Sequence, residues 1–160
     1  MKYAILCCSA VFAFVVVSVP VHAQSKDEWA YSCPPADLVQ GVPAADQGGV
    51  PMEVALGACA VTGDLAGANT KDAVIAVTAE PIVSGAKVWG VAMVTLIDGV
   101  NVGFIFQTAQ NNITHTGQPA YQITWGTGRM SGIKGSGVCA VIYLPNGGSN
   151  GSCTGLYTIP

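Results

Sequence analysis

From Met52 to the C-terminus, apolar β-branched runs alternate with short clusters of turn residues at intervals of roughly ten residues. The runs are Val54 to Thr62, Ala73 to Glu80, Lys87 to Ile97, Val100 to Thr108, Ala120 to Trp125, Gly137 to Leu144 and Gly151 to Ile159. Their lengths and spacing predict an all-β domain over residues 51–160. Five or six such strands make a sandwich. Seven or eight short, glycine-rich ones fit a small closed barrel at least as well, because closure removes exposed edges and glycine permits sharp coiling. Val88 to Phe106 is apolar enough to resemble a membrane span. However, Asp98-Gly99 between two β-rich runs is a hairpin signal, so this stretch reads as strand, turn, strand. Met52 to Ala68 is rich in alanine, but Gly57, Gly63 and Gly67 each disfavour helix by up to about 1 kcal/mol relative to alanine, and strand is the better reading.

Upstream, residues 24–50 carry Pro34-Pro35, Pro43 and Gly48-Gly49 with no sustained apolar period. They read as an irregular lead-in fastened to the domain by Cys33. Residues 1–23 have the form of a secretory signal: Lys2, an apolar run from Ala4 to Val19, and the small-x-small site Val21-His22-Ala23. Cleavage before Gln24 removes Cys7 and Cys8. The remaining Cys33, Cys59, Cys139 and Cys153 are an even set in an exported chain, which favours disulfides. No pair has the two-to-four-residue spacing of a zinc knuckle, and His115 is the sole histidine after Gln24, so no metal site is expected.

The last hairpin fixes its own register. Pro145-Asn146-Gly147 suits a three-residue loop with glycine in the left-handed bulge position. Leu144 then faces Gly148, and counting outward brings Cys139 opposite Cys153 at a non-hydrogen-bonded site, where Cα atoms are close enough for a disulfide. The same count sets Tyr157 opposite Gly135, an aromatic ring over a glycine. Elimination pairs Cys33 with Cys59.

Composition narrows the function. Charged residues are 9% and hydrophobic residues 51%, which excludes a disordered chain. After Gln24 the basic residues are Lys26, Lys71, Lys87, Arg129 and Lys134, outnumbered by acidic ones, so no nucleic-acid partner is expected. The densest motif, Gly126-Thr-Gly-Arg-Met-Ser-Gly-Ile-Lys-Gly-Ser-Gly137, invites comparison with a nucleotide-binding loop. Its spacing fits no such fingerprint, and strand follows it where a phosphate loop needs a helix. A tight bend between strands is the better account.

The run Gln122 to Gly137, the closing Cys153-Thr-Gly-Leu-Tyr-Thr-Ile-Pro160, and Trp89 to Phe106 with its Asp98-Gly99 turn resemble small exported bacterial proteins related to the allene oxide cyclase and dirigent barrel group. These segments cover about half of the chain after Gln24. The resemblance implies an antiparallel barrel of about eight strands whose interior, in the plant relatives, holds an apolar small molecule; the bacterial members carry no assigned activity. The acidic catalytic residues of the plant enzymes find no matching motif, and none is carried over.

Residue by residue, catalytic candidates are few. His115, beside Asn111, Asn112 and Thr116, reads as an exposed loop residue rather than a general base. Asp98 is explained by its turn and Arg129 by a solvated bend. Asn112-Ile-Thr114 and Asn150-Gly-Ser152 are glycosylation sequons only in a eukaryotic secretory pathway. No catalytic, cofactor-binding or metal-binding residue is assigned, and the only site residues are the four cysteines. A non-enzymatic binder of an apolar small molecule ranks first, ahead of a cofactor-independent isomerase or cyclase acting in the interior and of a structural or interaction protein with a filled core.

Overall fold

The computed structural model describes residues 24–43 and 51–160; the expected signal segment lies outside the described residues. Ten strands follow in chain order: β1 Ser25–Cys33, β2 Leu38–Pro43, β3 Pro51–Leu65, β4 Ala68–Ile82, β5 Gly85–Leu96, β6 Asn101–Asn111, β7 Thr116–Gly117, β8 Ala120–Gly126, β9 Lys134–Tyr143 and β10 Ser149–Thr158. A 3₁₀ turn, Gly128–Met130, joins β8 to β9. All seven expected strands are present. Every pairing is antiparallel, and β1 pairs with both β10 and β3, which closes an eight-stranded barrel. The short β7 and β2 extend the wall, β2 pairing with the outer half of β3.

The reading of residues 24–50 as an irregular lead-in is corrected for its described part. Residues 25–33 form the strand that closes the barrel, with Asp27, Trp29 and Cys33 buried at alternate positions. Both flanks of β1 are hydrogen-bonded, to Tyr157 through Ser149 on one side and Asp64 through Ala60 on the other. Pro34-Pro35 does not mark a loop leading into the domain. It breaks one wall strand into β1 and β2, consistent with proline's missing N–H.

The two ends differ. At one end Leu65, Leu96, Val102, Met130 and Ile133 are fully buried, and the glycine-rich segment after β8 is a bend that drives Met130 and Ile133 into the barrel as a plug. Burying a side chain of this size contributes about 1.5–3 kcal/mol. The opposite end is framed by Pro34-Pro35, the β4–β5 turn, the segment around His115 and the β9–β10 hairpin.

In that hairpin Gly147 has φ +87° and the backbone N–H of Leu144 donates to the Gly148 carbonyl, as the loop chemistry predicts. Cys139 faces Cys153 and Tyr157 faces Gly135. The disulfides join Cys139 to Cys153, with Cα atoms 4.0 Å apart, and Cys33 to Cys59, with Cα atoms 4.2 Å apart. The second lies on the β1–β3 seam and staples the closure. Val88 to Phe106 is the β5–β6 hairpin, and among the described residues no helix is long and apolar enough to cross a membrane.

Candidate functional site

Alternation along the strands sends one set of side chains inward, and these do not fill the barrel. A cavity of about 540 Å³ remains, within the usual range of small-molecule sites. Its floor is an aromatic cluster of Trp29, Phe104 and Tyr121 with ring centroids 5.6–5.9 Å apart. Its walls are apolar, with Val61, Ile75, Val77, Ala92 and Val94 on β3, β4 and β5. Cys33, Cys59 and Cys139 also face it, so both disulfides belong to the cavity wall. Pro34, Glu53 and Asn146 in the lining are solvent-exposed, and the cavity opens to water between them.

Beneath the floor is a polar group that the sequence reading missed. The Tyr121 hydroxyl donates to the Asp27 carboxylate, 3.0 Å from one oxygen and 3.2 Å from the other. Asp27 is 1% exposed, and among the described residues no ion pair reaches it. Desolvation raises its pKa above the ordinary carboxylate value, and the hydrogen bond from Tyr121 offsets only part of that. Tyr121 is pushed up in turn, by burial first and then by the field of Asp27. The Trp29 indole N–H points into the same neighbourhood, where its influence lowers Asp27 slightly, but it is buried with no partner in hydrogen-bonding geometry.

The register explains how a tyrosine on β8 reaches an aspartate on β1 across the two intervening strands β9 and β10. Tyr121 pairs with Gly137, Gly137 with Gly155, and Gly155 with Asp27. A Cβ at either glycine would collide with the Tyr121 hydroxyl, so the ring lies flat across two strands over a path only glycine leaves open.

Near the mouth the polar groups are uncharged, apart from Glu53. The Tyr143 hydroxyl and Thr108 Oγ1 converge beside Gly117, at 3.1 and 3.3 Å from the point its Cβ would occupy. Tyr31 and Tyr143 both line the cavity, and burial raises both phenols, Tyr31 further through the field of Tyr143. Both are therefore neutral hydroxyls.

The residues singled out by sequence lie elsewhere. His115 is an exposed turn residue with φ +52°, its carbonyl accepting from the Tyr143 N–H at 2.8 Å. Asp98 and Arg129 sit at the plugged end and meet there, Arg129 Nε donating to the Asp98 carboxylate at 2.9 Å. That bond is the main cause holding Asp98 below the ordinary carboxylate range. Asn112 and Asn150 are exposed. Asp27, Trp29 and Tyr31 were missed although Asp27-x-Trp29-x-Tyr31-x-Cys33 carries the two-residue period of a half-buried strand. No protein-family model and no curated protein matches the chain.

Proposed function

We propose that the protein is an exported, disulfide-stabilised barrel that binds an apolar small molecule in its interior. One observation carries this reading: a cavity of about 540 Å³, apolar in its walls, plugged at one end and open at the other. A core filled by its own side chains would leave no such space. The two disulfides suit an oxidising compartment, in keeping with the secretory form of residues 1–23. The resemblance to the allene oxide cyclase and dirigent barrels points the same way, since the plant members hold apolar molecules inside the barrel.

A second reading, a cofactor-independent isomerase or cyclase, is favoured by the buried carboxyl of Asp27 with its raised pKa. Against it, Asp27 lies behind the ring of Tyr121 and not in the cavity lining, so binding is the first choice. Titration of the chain from Gln24 onward with an environment-sensitive apolar dye tests it. Saturation at one dye per chain is expected. Failure of any apolar probe to bind would favour the structural alternative.

A further inference from the structure

We infer that the ligand is an uncharged amphiphile, with a hydroxyl or carbonyl head rather than a carboxylate or phosphate. The inference rests on the interior being a binding cavity and assigns the chemistry of its occupant. Among the described residues lining the cavity, none is basic, and the single charged one is Glu53 at the rim.

The lysines and the arginine are all accounted for elsewhere, and His115, exposed in the segment that frames the opening, is not part of the lining. From Gln24 onward there are five, each on the outside of the barrel. Lys26 pairs with Glu28, Lys71 with Asp72, Lys87 with Glu80 and Arg129 with Asp98. The Lys134 ammonium donates to the Thr124 carbonyl at 2.9 Å. A carboxylate taken into the cavity would therefore lose its hydration with no counter-charge to replace it. Drawn outward to stay hydrated, it would meet the negative field of Glu53.

An uncharged head has partners. Tyr31 and Tyr143 supply hydroxyls kept neutral by burial, and Thr108, Gln110 and Asn146 add donors and acceptors around the same opening. A hydroxyl or carbonyl gains hydrogen bonds there at little desolvation cost, while its chain lies on Ile75, Val77 and Ala92. At the far end the Asp27 carboxyl, behind the Tyr121 ring, offers an anion no counter-charge.

Competition against a bound apolar dye at about pH 8, with decan-1-ol and decanoate as displacers of equal chain length, separates the possibilities. Decanoate should bind at least about tenfold more weakly than decan-1-ol, the ratio that a 1.4 kcal/mol difference gives. Glu53→Lys should narrow that ratio by bringing a cation to the rim. Decanoate within about threefold of decan-1-ol on the unaltered protein would overturn the inference while leaving the binding cavity intact. A ratio unmoved by Glu53→Lys would overturn its electrostatic basis. Failure of dye and decan-1-ol alike to bind would overturn the binding reading itself.

Discussion

Tyr121 and Asp27 are hydrogen-bonded across two intervening strands, the phenol reaching over Gly137 and Gly155 to contact both carboxylate oxygens at 3.0 and 3.2 Å. The contact ties β8 to the N-terminal strand that closes the barrel, and seats the aromatic floor of the cavity on a buried acid.

The acid predicts a pH dependence of defined sign. Asp27 has a folded pKa above its unfolded one, so the folded state holds the proton more tightly. Its contribution to stability is fully present below the ordinary carboxylate pKa and is lost as pH rises through the raised folded value. Asp27→Asn keeps an acceptor for Tyr121 and cannot ionise. Thermal melts should show the variant gaining on the parent protein at about pH 8 and the difference shrinking towards about pH 4. Equal destabilisation at both pH values would contradict the assignment.

The glycine path makes a second prediction. In Gly155→Ala the new methyl meets the Tyr121 hydroxyl, Asp27 and the Ser136 carbonyl. Such overpacking should cost about 1–3 kcal/mol in denaturant unfolding. The control is Gly41→Ala, with nothing within 4 Å of its Cβ, which should stay within about 0.5 kcal/mol.

At the plugged end, Met130→Ala removes a fully buried side chain and should destabilise by about 2–5 kcal/mol. Arg129→Ala breaks an ion pair whose side chains are 47% and 45% exposed and a weak contact to the Met130 sulfur at 4.0 Å, and should cost less than about 1 kcal/mol. Comparable losses in the two variants would argue against a bend that works by inserting Met130.

Loop-closure entropy ranks the disulfides. Cys33–Cys59 spans 26 residues and Cys139–Cys153 spans 14, which in the chain-entropy description corresponds to about 3.5 and about 3 kcal/mol. Removing the first also frees the β1–β3 seam, so the Cys33→Ser/Cys59→Ser double variant should lose more melting temperature than Cys139→Ser/Cys153→Ser. The opposite order would show that β1 holds the closure without its staple.

From β3 onward all the strands but the two-residue β7 were legible because β-branched runs and turn residues punctuate them, and the last hairpin was legible in register because Pro145-Asn146-Gly147 dictates the loop geometry. Strand β1 was hidden by Pro34-Pro35 and by an aspartate at an inward position, where the ordinary rule expects an apolar residue. Which face points inward was also obscure. Outward Val91, Ile105 and Val138 are as apolar as inward Val94, Phe104 and Val141, so the two-residue alternation carries little contrast. The cavity left no trace in the sequence, because its volume depends on barrel diameter against the summed side chains from eight strands. The Asp98–Arg129 pair spans 31 positions and depends on how the plug folds back.

Filling the cavity tests the central claim most directly. Ala92 and Ala79 both line it, the first deeper and the second near the mouth, so Ala92→Trp and Ala79→Trp each insert an indole into open space. Calorimetric titration with decan-1-ol, checked by circular dichroism for an intact barrel, should give one site per chain in the parent protein and an affinity at least about tenfold lower in either folded variant. Undiminished binding in both folded variants, or no binding to the parent protein, would contradict an interior site.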